Sequence, residues 1–482
     1  MADDTERHSR YDNPLVTRYA SREMSAIFSP QSKFSTWRRL WLALAEAEQE
    51  VGLPITDTQI EQMRQHLDDV DFEAARRYEA ELRHDVMAHV HAFGDQCPDA
   101  KPIIHLGATS CFVTDNADLI LMRDGLELLR ARLVNLMEAL AIFAASHRAL
   151  VTLGYTHFQT AQPTTVGKRA CLWLYDFVLD YQELSRLVDA LPFRSIKGTT
   201  GTQASFMELF DGSHAKVRRL EKLVAAKMGF PCILPVCGQT YTRKLDTTIL
   251  GVLVGIAQSV AKMANDVRLL QHMQEVEEPF RKKQIGSSAM PHKRNPMRCE
   301  RIGSLARHLI CAAQSAPFTA ATQWLERTLD DSAGRRVAIP ECFLTADAVL
   351  LIADNVASGL VVHPKVIAKN LARELPFLAT ERILMAAVKA GGDRQALHET
   401  LRRHVADVRW QMTEEGADND LVERLKADEA FAAIHDQIDS LLDPAPLAGR
   451  ATVQVDEFLH AVVNPILERE AHLLGAESRL TV

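Results

Sequence analysis

Apolar residues recur with alternating spacings of four and three over three long stretches of the chain. They fall at Met122, Leu126, Leu129, Leu133, Leu136, Leu140 and Phe143, then at Ala170, Leu174, Phe177, Tyr181, Leu184, Val188 and Leu191, and again at Ile249, Leu253, Ile256, Val260, Met263, Val267 and Leu270. Positions three and four apart share one face of an α-helix, so each stretch predicts a rod with a single apolar seam, packed at a shallow angle in a bundle. Helices of about 30 residues reach about 45 Å. Rods of that length carry more apolar flank than one chain can cover, which favours burial against copies of the same chain.

The rest of the pattern is helical but shorter. Phe34 to Val51 reads as a helix stopped by Gly52 and Pro54, followed by segments near Asp57 to His66 and Asp71 to Phe93. Residues 1–33 read as irregular, broken by Pro14 and Pro30. Helical spacing resumes over 297–320 and 340–360, split by TQWLERTLDDSAGRRVAIP, and turns shorter and more charged past His363 and Pro364. The expected architecture is all-α in three helical domains: 1–110, a central long-helix bundle over 111–363, and 364–482.

Composition agrees with this class. Only 22 Gly and 19 Pro stand among 482 residues, low for a loop-rich β protein, and the 47% hydrophobic and 24% charged fractions are those of an ordinary globular chain. A net charge of −8 argues against a nucleic-acid groove as the main role. The opening MADDTERHSR lacks the apolar core of a signal peptide, and no run reaches roughly 18 uninterrupted apolar residues, so the expectation is a cytoplasmic protein without a membrane partner. Eight cysteines without a CxxC pair read as reduced thiols. With no HExxH motif and no Cys/His cluster, neither a metal nor a cofactor is expected.

The polar residues concentrate where the rods join: GYTHFQTAQPTT between the first two, FRSIKGTTGTQASF and PVCGQTYTRK between the second and third, and IGSSAMPHKRNPM at 285–297 after the third. In the last, Gly286, Ser287 and Ser288 form a small hydroxyl-bearing turn, and Pro291, Asn295 and Pro296 keep the chain from being helical. Arg281 to Arg301 holds seven Lys/Arg against one Glu, which suits either a solvated basic face or an anion site. Serine is a feeble base unless neighbouring cations or N–H groups stabilise its alkoxide, and Lys293 and Arg294 supply such cations. Arg83, His84 and Asp85 place a cation, a titratable ring and an acid side by side, and Arg18 and Tyr19 sit in a short polar segment that could reach a ligand.

The order G-S-S-x-M-P-x-K-x-N in this loop resembles the signature of the fumarase/aspartase superfamily, whose members eliminate fumarate from substituted succinates. GYTHFQTAQPTTVGKR at 154–169, RHDVMAHVH at 83–91, IIHLGATS at 103–110 and RNPMRCERIGSLARHL at 294–309 resemble the branch acting on succinylated purine nucleotides. The resemblance runs from about Tyr11 to near the C-terminus. It implies a homotetramer built on the long-helix bundle, with active sites shared between three subunits, and β-elimination of fumarate from adenylosuccinate, giving AMP, and from SAICAR, giving AICAR. By the same resemblance Ser287 is the base and His157 the general acid. Lys293 and the N–H groups of Ser288 and Ala289 meet the carboxylate whose charge grows, Asn295 adds a donor or fixes the loop, and His84 orients substrate or tunes His157. Arg18, Tyr19, Arg327, Ser332 and Arg336 are implied at the nucleotide end, with Arg83, His84, Asp85, Thr109, Ser110, Gln239 and Arg301 along the remainder of an anionic small-molecule substrate. One departure stands out: Thr160 occupies the place after THxQ where the family usually has proline. The rival readings are another lyase of the superfamily, of argininosuccinate lyase or fumarase type, and a non-catalytic helical oligomer.

Overall fold

The computed structural model describes residue 9 and residues 11–475. The three seams lie along the helices Ser110–Ser146, Val166–Ala190 and Lys244–His272, with Leu191 one residue past the second. Every seam residue is buried except Val188, which is half-buried. At 37 residues the first rod is about 55 Å long. Met297–Ala313 and Asp331–Gly359 complete the bundle, the latter lying against Ser110–Ser146, Lys244–His272 and Met297–Ala313. By length and composition Lys244–His272 could cross a membrane, yet its seam is the middle of this bundle and 44% of its most apolar window is buried within the chain. The fold is all-α; among the described residues its strands form two two-stranded pairs.

Several element boundaries differ from the periodicity, each for a local reason. The first long helix starts at Pro30, because Ser29 accepts a hydrogen bond from Ser32 N–H and proline suits a first helical turn. Ahead of it, the stretch expected to be irregular holds the helical turns Leu15–Tyr19 and Arg22–Ile27, pinned by the Ser21 N–H donated to Asp347 at 2.6 Å. Asp71 to Phe93 is two helices, Phe72–Leu82 and Asp85–Gln96, broken at Arg83, whose φ of 54° is left-handed. Asp331–Gly359 begins nine residues before Pro340 and takes that proline into its interior; buried ion pairs of Asp331 and Arg335 anchor the early turns and offset the lost backbone bond. GYTHFQTAQPTT is not a loop but the antiparallel hairpin of β1 (Val151–Thr156) and β2 (Gln159–Thr165).

Beyond the bundle a second core gathers Ile383, Leu397, Leu401, Val408, Leu425, Phe431 and Ile438, while Val455, Leu459, Val463 and Ile466 return to the main core. All eight cysteines are free thiols.

One buried group sets a stability trend. Glu48, on Pro30–Val51, is fully buried, neither carboxyl oxygen has a hydrogen-bond partner among the described residues, and burial pushes its pKa up to about 9 from the ordinary 4.5. The folded state therefore keeps a proton that the unfolded chain releases above pH 4.5, and the associated stability is lost as pH rises toward 9. Relative to wild type, Glu48→Gln should gain on the order of 2 kcal/mol of unfolding free energy between pH 6 and pH 8. Urea unfolding across that range checks this, and a gap that stays constant with pH would contradict it.

Candidate active site

The break at Arg83 does more than end a helix. His84 is thrown into extended backbone as the N-cap of Asp85–Gln96, and its Nδ1 accepts the Met87 N–H at 3.3 Å. A neutral ring accepting at Nδ1 carries its proton on Nε2, which lies 3.4 Å from Ser110 Oγ and can donate to it. Asp85 meets Arg336 at 3.1 Å. The neighbouring histidines serve packing instead: His89 stacks on Phe34 at 3.7 Å and burial pushes its pKa down to about 4, while His91 stacks on Tyr78.

Most of the remaining candidates converge on the N-terminal half of Asp331–Gly359. Ser332 and Arg336 lie one turn apart on that helix, and the Leu15–Tyr19 turn packs against it. The guanidinium carbons of Arg18 and Arg301 lie 6.0 and 5.7 Å from the centre of the Tyr19 ring, within cation–π range. Gln239 donates its N–H to Glu326 O at 3.0 Å, so the 237–241 segment is tied to the one carrying Arg327. Arg327 Nη1 donates to both oxygens of Asp331 at 3.2 Å. Cys111 Sγ, next to Ser110, sits 3.8 Å from Gln239 Oε1 and links these two groups. Thr109 caps Ser110–Ser146 by position, its side chain making no capping bond.

Lys33 joins this cluster without having been picked out by its sequence. Its ammonium lies over Phe34 and Trp37 at 5.3 and 5.2 Å; burial lowers its pKa, and Asp118, Arg336 and Asp85 are the strongest charges it feels. A lysine entering an aromatic run, K-F-S-T-W, was the available signal.

The signature loop is fixed at its base. Asn295 Nδ2 donates to Gly286 O at 2.8 Å, Gln271 Nε2 donates to Arg294 O at 3.0 Å, and Arg294 pairs with Glu277 at 3.4 Å. Buried Glu278 accepts the N–H groups of Arg298 and Cys299, capping Met297–Ala313 from across the loop. Ser287 Oγ accepts N–H bonds from Ala289 at 3.3 Å and Met290 at 3.1 Å. The Ala289 N–H, expected to face a substrate carboxylate, is thus aimed at the serine oxygen, where two donors favour the ionised form. Lys293 is exposed on the same loop.

His157 stands at the exposed tip of the hairpin. His157 and Phe158 have φ of 52° and 58°, the left-handed pair a two-residue hairpin turn of type I′ requires, although neither is glycine or asparagine. Such conformations cost on the order of 1–3 kcal/mol each and concentrate at functional sites. The hairpin and the signature loop share a root, buried Glu275, which accepts from Thr152 at 3.3 Å and from Asn370 at 3.0 Å just ahead of Glu277 and Glu278. Among the described residues, no hydrogen bond or ion pair joins His157 to Ser287 or to Arg336.

Comparison with known proteins decides the family. Residues 20–310 match the family described as Lyase, and residues 376–458 match one described as Adenylosuccinate lyase C-terminus. The chain is 53% identical to the adenylosuccinate lyase of Saccharomyces cerevisiae over 96% of both chains, and 48% identical to that of Schistosoma mansoni over 98% of this chain and 99% of the other. The chain belongs to the adenylosuccinate lyase family. Solved structures share the fold at lower identity. The 3-carboxy-cis,cis-muconate lactonizing enzyme of Pseudomonas putida superposes with a TM-score of 0.80 at 24% identity, covering 94% of this chain and 98% of that one. A fumarate lyase of Mesorhizobium sp. BNC1 gives 0.79 at 24% identity, covering 94% and 99%.

Within the adenylosuccinate lyase family the departure at Thr160 now has a setting. Thr160 pairs with Tyr155, next to the turn-closing pair Thr156 and Gln159, so its N–H points away from the ladder and proline would break no β1–β2 bond. Only its hydroxyl bond to Glu374 at 3.3 Å would be lost. Thr160→Pro should leave the melting temperature unchanged or slightly raised, as a calorimetric scan would read; a clear fall would count against this placement.

Proposed function

We propose that the chain eliminates fumarate from adenylosuccinate, giving AMP, and from SAICAR, giving AICAR. The observation that carries the reading is the serine of the signature loop accepting two backbone N–H bonds beside Lys293, in a chain of this family. Ser287, as alkoxide, takes a proton from the carbon next to a carboxylate. Ala289 and Met290 N–H hold the alkoxide, and Lys293 offers its charge to the carboxylate on which the electron pair accumulates. The C–N bond then breaks toward nitrogen, and His157 delivers a proton to the departing amine. An imidazole suits that step because its ordinary pKa of about 6.5 lets it hold and release a proton near neutrality. Asn295 fixes the loop through one N–H bonded to Gly286 O, and its second N–H is a donor for the substrate. Closure of the loop would exclude water and strengthen the pairing around Ser287.

The nucleotide end lies on Arg18, Tyr19, Arg327, Ser332 and Arg336, and His84, set by its bonds to Met87 and Ser110, orients the succinyl end. His157 and Ser287 act on one substrate from different copies of the chain in a cytoplasmic homotetramer. The uncovered flank of Lys244–His272, with Gly251, Val252, Val254 and Gly255, and the exposed Phe318, Trp324, Leu325 and Leu329 support that assembly.

Ser287→Ala and His157→Gln should each reduce kcat on adenylosuccinate at least ~10²-fold without shifting the melting temperature, followed spectrophotometrically. Unfolding and refolding the two variants together should restore up to roughly a quarter of wild-type activity, because a fraction of mixed sites then holds both native residues. Wild-type turnover in either single variant would sink the assignment, and no recovery on mixing would sink the shared site. At Gly286 a Cβ would lie 2.2 Å from Lys293 O. Gly286→Ala should therefore misplace Ser287 and reduce kcat about 10²-fold in a protein of unchanged melting temperature.

A further inference from the structure

We infer that Asp331 is a positioning residue for nucleotide binding, holding Arg327 so that one edge of its guanidinium faces the ligand. The inference rests on the reading above that Arg327 meets the nucleotide end. Asp331 is buried and both its oxygens accept from Arg327 Nη1 at 3.2 Å. Arg243 Nε donates to the same carboxylate at 2.6 Å, while Arg243 Nη1 and Nη2 donate to Asp115 at 3.2 and 3.1 Å. Asp115 also accepts the Tyr241 N–H at 2.8 Å. Asp331 is therefore fixed from behind by a buried arginine, itself gripped bidentately by a carboxylate five residues along the helix from Ser110.

The other edge of the Arg327 fork lies outside this network. Among the described residues Arg327 makes no further side-chain hydrogen bond, and its side chain is 23% exposed, so its Nε and Nη2 donors remain. Those two nitrogens form the edge of the fork that grips a phosphate or carboxylate with two parallel bonds. Two alternatives are separable by sign. If Asp331 acted only through its charge, removing that charge beside an anion site would tighten an anion. If it acts by holding the fork, removing it weakens the anion.

The test is AMP binding by titration calorimetry with adenylosuccinate kinetics on the intact assembly. Asp331→Asn, folded by melting profile and circular dichroism, should raise the Kd for AMP and the KM for adenylosuccinate about tenfold and leave kcat within about twofold. In an Arg327→Gln background the same change should add nothing, because the group it positions is gone. Should Asp331→Asn not fold, Arg327→Lys leaves the buried network intact, keeps the charge and removes the edge; it should show the same tenfold loss. Equal or tighter AMP binding by Asp331→Asn, an undiminished penalty in the Arg327→Gln background, or wild-type affinity in Arg327→Lys would overturn the inference while the lyase reading stands. A wild-type protein that neither cleaves adenylosuccinate nor binds AMP would overturn both.

Discussion

Charge buried between rods is the constraint on which the site depends. The Arg243 and Arg335 side chains are 2% and 9% exposed, and a guanidinium withdrawn from water costs several kcal/mol unless carboxylates compensate it. Arg243 bridges Asp115 of one rod and Asp331 of another; Arg335 meets Asp246 at 2.7 Å and Asp118 at 2.9 Å and donates to the Tyr241 hydroxyl. Burial would lower the pKa of Arg243, but Asp115 and its neighbours hold it above the ordinary value, and Asp115 stays below its own despite burial, so the pair is ionised. An apolar seam that repeats every seven residues tolerates a slide by one heptad. These ion pairs would not survive such a slide, so they set the register that brings Ser110, Gln239, Arg327, Ser332 and Arg336 to one place.

Around this rigid centre the groups assigned to chemistry sit on small, tightly tied projections. Ser287 and His157 belong to a loop and a hairpin, each closed by few bonds and both rooted at Glu275. The division has a physical logic. A nucleotide needs many fixed donors, which rod ends provide, whereas proton transfer needs two groups brought to a substrate from opposite sides, which projections permit. The left-handed residues His157 and Phe158 belong to the same economy: the hairpin ladder on either side holds the imidazole at the very end of the turn despite the backbone cost.

The three histidines of RHDVMAHVH show how far local sequence carries. Their spacings excluded a shared helical face, but not which one stands outside the helical packing. That followed from Arg83 adopting φ of 54°, which ends one helix and starts another with His84 as its cap. Pro340 and Pro30 teach a related lesson. The first reads as a helix start and lies inside a helix, the second reads as a break and begins one, because ion pairs and a serine cap outweigh the local preference.

By itself the sequence determined the rods, their buried faces, the all-α class and the segments between rods that carry the named residues, though not that one of these is a hairpin, because helical periodicity and motif order are local properties written in consecutive positions. The tertiary structure alone decided that Ala289 and Met290 N–H point at Ser287 Oγ, that Asp331 and Arg243 stand behind Arg327, that Lys33 is buried over Phe34 and Trp37 within the field of Asp85 and Arg336, and that among the described residues no hydrogen bond or ion pair unites His157 with Ser287. Those facts depend on burial and on distances between residues tens to hundreds of positions apart, and no local pattern encodes either.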